Sequence, residues 1–120
     1  METHAPMIRN FEDAEPYEQE EPGNARFNWL IKQGEFPGIS SGRVRLAGPI
    51  HKTPATHTEW DQAYFILAGS ATIHLGNRSV KVNDPTVVLI PRGTHHSVEL
   101  SEGESVEYIF VNQYLPAETA

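Results

Sequence analysis

His57–Gly69 reads HTEWDQAYFILAG, and the reading of its second half decides the fold class. Ala63–Leu67 (AYFIL) is an unbroken apolar run that stops at Gly69. A run this short, bounded by a glycine and carrying aromatic and β-branched residues, has the signature of a buried strand rather than a helix. Beyond the glycine, Ala71–Leu75 sets Ala71, Ile73 and Leu75 against Thr72 and His74. Such alternation places one set of side chains in a core and the other in solvent. Gly76–Arg78 then supplies a turn, and Val80 and Val82 alternate after it.

The same pattern extends outward in both directions. Downstream, Thr86–Ile90 (TVVLI) runs into Pro91 and Gly93, and Ser97–Leu100 and Val106–Val111 are separated by a turn over Ser101–Ser105. Upstream, Arg26–Ile31 (RFNWLI) ends at Gly34, Pro37 and Gly38, and Gly42–Leu46 alternates Arg43 and Arg45 with Val44 and Leu46. His51–Glu59 is polar and interrupted by Pro54. Short strands with regular turn signals predict an all-β sandwich or barrel. No stretch has the period of an amphipathic helix, and no internal repeat is present.

Composition narrows the function classes. The 120 residues fit one domain, and 38% hydrophobic residues support one modest core. With no cysteine there is no disulfide and no thiolate chemistry, which fits a reducing compartment. A formal net charge of −7 repels phosphate backbones and argues against nucleic-acid binding. No apolar run approaches the ~20 residues that span a bilayer, and Met1–Asn10 lacks the features of a signal peptide. A soluble cytoplasmic protein is expected. Glu12, Asp13, Glu15, Glu18, Glu20 and Glu21, with Pro16 and Pro22, predict an acidic arm over residues 1–24 with little structure of its own. The folded domain is expected over 25–116.

Two stretches resemble the motifs of the cupin family. In the family's first motif two histidines separated by one residue are followed, after three or four residues, by a glutamate and, after six more, by a glycine. In HTEWDQAYFILAG, Gln62 stands at the glutamate position, His57 at the second histidine, and Ala55 at the first. Pro91–His96 (PRGTHH) resembles the family's Pro-x-Gly-x-x-His, with His96 as its metal-binding histidine. The family's glycine before that motif is here Pro85, and its later asparagine is Leu100. The resemblance spans roughly residues 40 to 112. It implies a double-stranded β-helix, a jelly-roll barrel, with a polar site at its mouth.

The site expected there has four candidate metal ligands: His57, His96, Gln62 and Glu59. Two imidazoles with oxygen donors suit a divalent transition metal such as Fe, Mn, Ni, Co or Zn. Gln62 offers a neutral amide oxygen, and it shares a strand face with Tyr64 and Ile66. Glu59 offers a charge, and His57-x-Glu59 with His96 would form a two-histidine, one-carboxylate face. His51 is a reserve ligand six residues before His57. The catalytic candidates are His57, His96 and Tyr64, with either histidine as general base and Tyr64 as acid if no metal is used. The cupin resemblance implies a metal-dependent enzyme acting on a small polar molecule, through dioxygenase, decarboxylase, isomerase, lyase or cyclase chemistry. A metal-free cupin enzyme and a non-catalytic binding module are the alternatives. A homodimer is expected because Phe27, Trp29 and Ile31 give one strand face too apolar to stand free.

Overall fold

The alternating stretches become strands in the computed structural model, which describes residues 6–16, 24–51 and 54–114. In chain order they are β1 (Glu15–Pro16), β2 (Ala25–Ile31), β3 (Ile39–Ala47), β4 (Ile50–His51), β5 (Asp61–Leu75), β6 (Arg78–Asn83), β7 (Thr86–Ile90), β8 (His96–Leu100) and β9 (Ser105–Gln113). One short 3-10 turn, Phe11–Asp13, precedes them. All strand pairings are antiparallel, in two sheets ordered β1-β2-β3-β9-β5-β7 and β6-β5-β8-β4. The two sheets share β5 and curl into a jelly roll. No helix among the described residues is long and apolar enough to cross a membrane.

The sharing of β5 corrects one expectation. Ala63–Leu67 and Ala71–Leu75 are halves of a single 15-residue strand, and Gly69 does not end it. The first half pairs with β9 and β7, and the second with β6 and β8. A register shift between Ile66 and Ala68 inserts one residue, so the inward set passes from Tyr64 and Ile66 to Ala71 and Ile73. Gly69, at φ +86°, takes the bend; a Cβ there would lie 2.0 Å from the Ser105 carbonyl oxygen.

The core fills the space between the sheets. Val44 and Leu46 of β3, Tyr64, Ile66 and Ile73 of β5, Val98 and Leu100 of β8, and Val106, Tyr108 and Phe110 of β9 are all buried. These are the residues that alternation assigns to one face of each strand.

Two further stretches take defined places. Phe27 and Trp29 pack against the core, and Trp29 meets the Phe110 ring edge-on at 6.1 Å. That face therefore covers the protein's own barrel and gives no argument for a partner. Part of the acidic arm is also anchored. Glu15 and Pro16 pair with Trp29 and Asn28, Arg9 forms an ion pair with Glu35 at 2.9 Å, and Arg43 lies 5.7 Å over the Phe11 ring. Strand pairing, the Arg9–Glu35 ion pair and the Arg43–Phe11 contact hold the described part of that stretch. The arm's Glu18, Glu20 and Glu21 lie outside the described residues.

Candidate functional site

Backbone pairing brings the two cupin-like stretches together. Ala55 and His96 exchange both backbone hydrogen bonds, at 2.8 and 2.9 Å, and the Gly93 N–H donates to the His57 carbonyl at 2.6 Å. The segment leading to β5 is thereby fastened to the Pro91–His96 turn. The His57 and His96 rings lie 5.0 Å apart, centre to centre.

Each histidine is held by its neighbours. His96 is buried, and its Nδ1 sits 2.9 Å from the Thr94 carbonyl oxygen. A carbonyl only accepts, so Nδ1 is the donor there, and in the neutral tautomer Nε2 is the nitrogen with the lone pair. His57 stacks on Trp60 at 4.5 Å. Its pKa is held below the usual histidine range, first by burial and then by the neighbouring His96. The neutral form, which serves as a ligand or a base, is thereby favoured.

Aromatic rings wall the site. Tyr64 meets His96 edge-on at 6.4 Å and lies 4.7 Å from Tyr108, and Trp60 meets Tyr114 at 5.4 Å. Burial pushes the Tyr64 hydroxyl up to about 12. It keeps its proton near neutrality and acts as a hydrogen-bond donor rather than a ready acid.

Gln62 is oriented from across the sheet. Its Nε2 donates to Asn112 Oδ1 at 2.8 Å, Asn112 Nδ2 donates to Ser40 Oγ at 3.2 Å, and Ser40 Oγ shares a 2.6 Å hydrogen bond with the Tyr114 hydroxyl. This chain ties the Gln62 amide to β9 and β3. It leaves Gln62 Oε1 buried without a hydrogen-bond partner, and Trp60 Nε1 is buried and unpartnered as well. One bare acceptor and one bare donor in a buried polar site are the groups a ligand would satisfy.

Glu59 behaves differently from its sequence pattern. Residues 56–60 form no strand, so alternation does not carry from His57 to Glu59. Glu59 lies in an exposed bend, and among the described residues no group of three His, Asp or Glu side chains could hold a metal. His51 is also absent from the site; it is exposed on β4, 3.7 Å from the Glu99 carboxylate. His74 hydrogen-bonds Glu99 at 2.7 Å, and His95 hydrogen-bonds Thr56 at 3.0 Å. The donors that remain are His57, His96 and the Gln62 amide oxygen.

Ser40, Trp60, Asn112 and Tyr114 were not among the site residues expected from sequence. Parity offered a signal for two of them: Ser40 shares a face with Val44, and Asn112 shares one with Tyr108 and Phe110.

No protein-family model matches the chain, and no curated protein matches it. Solved structures do. The cupin domain of Schizosaccharomyces pombe Cnp3 superposes with a TM-score of 0.71 at 17% identity, covering 88% of this chain and 72% of that one. A predicted oxalate decarboxylase from Thermotoga maritima gives 0.78 at 18% identity, over 91% of this chain and 100% of that one. The iron(II) form of HppE gives 0.75 at 13% identity, over 89% of this chain and 60% of that one. The chain has the cupin fold, a curled, nearly all-β jelly roll.

Proposed function

We propose that the chain is a metal-dependent cupin enzyme acting on a small polar molecule at the barrel mouth. The observation that supports this reading is the buried, unpartnered Gln62 Oε1, whose amide Asn112 holds on the strand face that also carries Tyr64, the ring beside His96. The His57 and His96 rings lie 5.0 Å apart, close enough for one divalent ion to be held by both. His57 Nδ1 or Nε2, His96 Nε2 and Gln62 Oε1 would hold the ion, and a bound ion would polarise a carbonyl or enolate oxygen of the substrate. Three neutral donors leave the ion its full positive charge, which suits an anionic or enolisable substrate.

The chain's own groups supply the rest. Trp60 Nε1 presents a free hydrogen-bond donor to a bound molecule. The Tyr64 hydroxyl, protonated at neutral pH, presents another beside His96. Trp60, Tyr64 and Tyr108 exclude water from one side of the site. The similarity to a predicted decarboxylase and to an iron(II) protein supports the reading at the level of fold. The absence of cysteine supports a reducing compartment such as the cytoplasm.

A metal-free enzyme is the second reading, and the lowered pKa of His57 favours it, because a neutral imidazole is a competent general base. Elemental analysis of untagged protein separates the two. A stoichiometric transition metal is expected, reduced to near zero in His96→Ala and bound more tightly in Gln62→Glu, where a carboxylate replaces the amide. Metal-free wild-type protein that resists reconstitution with Fe, Mn, Ni, Co or Zn would overturn the metal reading.

A further inference from the structure

The alternation of β2 breaks at Leu30. Trp29 pairs with Gly42 and Ile31 with Ser41, so Leu30 is an extra residue, a bulge in the strand. Trp29 faces the core, while Leu30 and Ile31 both line a recess of about 530 Å3 on the other side of the sheet. Ile39 and Ser41 of β3 continue its floor. Between those two, Ser40 points the opposite way, to Asn112 and the barrel interior. One sheet therefore separates the recess from the barrel mouth. We propose that this recess is a second small-molecule site, and that it takes a neutral, largely apolar molecule held between the N-terminal arm and the sheet.

Three observations carry the assignment. The first is packing. Protein interiors leave few voids larger than a water molecule. An arm that only covered the sheet would press its apolar side chains onto Leu30, Ile31 and Ile39. Instead Met7 and Phe11 of the arm and Phe36 of the β2–β3 loop stand around the opening, 71%, 45% and 51% exposed. The space they border has the size of a small-molecule site, ~300–1,000 Å3.

The second observation is that the polar groups of the wall are already satisfied. Arg9 Nη1 donates to the Leu30 carbonyl at 2.7 Å, and the same guanidinium pairs with Glu35 at 2.9 Å. Glu35 also accepts from the Lys32 N–H at 2.6 Å, and the Ser41 hydroxyl donates to the Phe110 carbonyl at 2.7 Å. An ionic ligand would have to break one of these contacts. Glu12 and Asp13, exposed on the arm, and the net charge of −7 further disfavour an anion. What the recess offers is apolar contact, with the Ser41 oxygen as an acceptor. The third observation is shape. A protein partner needs ~800 Å2 of matched surface on each side. A concavity walled by sheet, loop and arm instead encloses a small molecule.

The neutral probe N-phenyl-1-naphthylamine, whose fluorescence rises in apolar surroundings, tests the assignment. Wild-type protein should bind one probe per chain, with amide NMR shifts on residues 7–11 and 30–41. Ile39→Trp fills the recess and should weaken binding about tenfold or more. Phe36→Asp should weaken it too, with unchanged circular dichroism, because that side chain is exposed. Phe65→Asp, exposed on β5, should leave binding as it is. The sulfonated analogue 1-anilinonaphthalene-8-sulfonate should bind more weakly than the neutral probe. Shifts centred on residues 57–64 and 91–96, equal affinity in Phe36→Asp, loss of binding in Phe65→Asp, or tighter binding of the sulfonate would overturn the proposal. So would wild-type protein that binds no probe; a mass of twice 13.4 kDa that falls to one chain in Phe36→Asp would then assign the recess to a second copy.

Discussion

Replacing Gly69 with alanine should damage the fold far more than the same change at Gly76, although both glycines have positive φ. Gly69 sits at φ +86° and Gly76 at φ +59°. The left-handed region costs an alanine ~1–2 kcal/mol at either site. At Gly76 nothing lies within 4 Å of the added Cβ, so that cost is the whole effect. At Gly69 the Cβ would come 2.0 Å from the Ser105 oxygen, 2.8 Å from its carbon and 3.0 Å from the Val106 Cα. All three are backbone atoms of the paired strand β9, so no rotamer relieves the clash, and β5 and β9 must separate. Overpacking of this kind adds ~1–3 kcal/mol. Gly69→Ala should therefore lose about 2–5 kcal/mol against ~1–2 kcal/mol for Gly76→Ala. At ~4 °C per kcal/mol, between the values for smaller and larger domains, the extra ~1–3 kcal/mol should separate the two midpoints by about 4–12 °C in a thermal melt. Equal midpoints would show that Gly69 is not the point where β5 bends between the sheets, and the parity switch from Tyr64 to Ile73 would need another cause.

The remaining predictions concern the site and the arm. Asn112→Ala should cost ~1–3 kcal/mol in urea unfolding, because it leaves Gln62 Nε2 and Ser40 without their partner, and it should weaken metal binding by freeing the amide to turn. Glu59→Gln should leave metal content unchanged, since that side chain is exposed; a fall in metal content would return Glu59 to the ligand set. Tyr64→Phe should fold normally, and the wild-type minus variant absorbance titration should show a phenol that ionises only near 12. Arg9, first of all by its hydrogen bond, holds the Glu35 carboxyl at about 2, below its ordinary 4.5. A depressed pKa gives stabilisation that is present above 4.5 and is lost as pH falls toward about 2. Amide exchange over residues 9–14 should accelerate through that window in the wild type, and Glu35→Gln should remove the pH dependence while raising exchange at neutral pH. The change should be small, because the carboxylate is 35% exposed and solvent screens the pair.

Strand identity was legible because alternation is local. Val44 and Leu46 against Arg43 and Arg45, or Ile73 against Thr72 and His74, are decided by neighbours in the chain, and the structure buries the members so assigned. The length of β5 was not legible. A glycine after an apolar run signals a stop, and only the carbonyl of Ser105, 36 residues away in sequence, makes Gly69 a bend within one strand instead. The fate of Phe27 and Trp29 was hidden for the same reason. An apolar strand face covers either its own barrel or a partner, and the choice depends on Phe110, which the distant strand β9 supplies.

The site divides along the same line. His57 and His96 could be picked out because each lies in a stretch that resembles a cupin motif, and the Ala55–His96 bridge joins the two stretches. What the motifs do not state is how the third donor is aimed. Gln62 has an acceptor at one end of its amide and a donor at the other, and nothing beside it in sequence distinguishes them. Asn112 Oδ1 accepts from Gln62 Nε2 while Asn112 Nδ2 donates to Ser40 Oγ. In that arrangement the unpartnered atom of the Gln62 amide is its oxygen, an acceptor. That outcome depends on three strands, β3, β5 and β9, being in register, with Ser40 opposite Asn112 and Asn112 opposite Gln62. A one-residue slip of β9 would turn Val111 or Gln113 inward and undo both the amide's orientation and the core packing of Tyr108 and Phe110. Register between distant strands thus brings Gln62, Asn112 and Ser40 together, and core packing of those same strands determines the register.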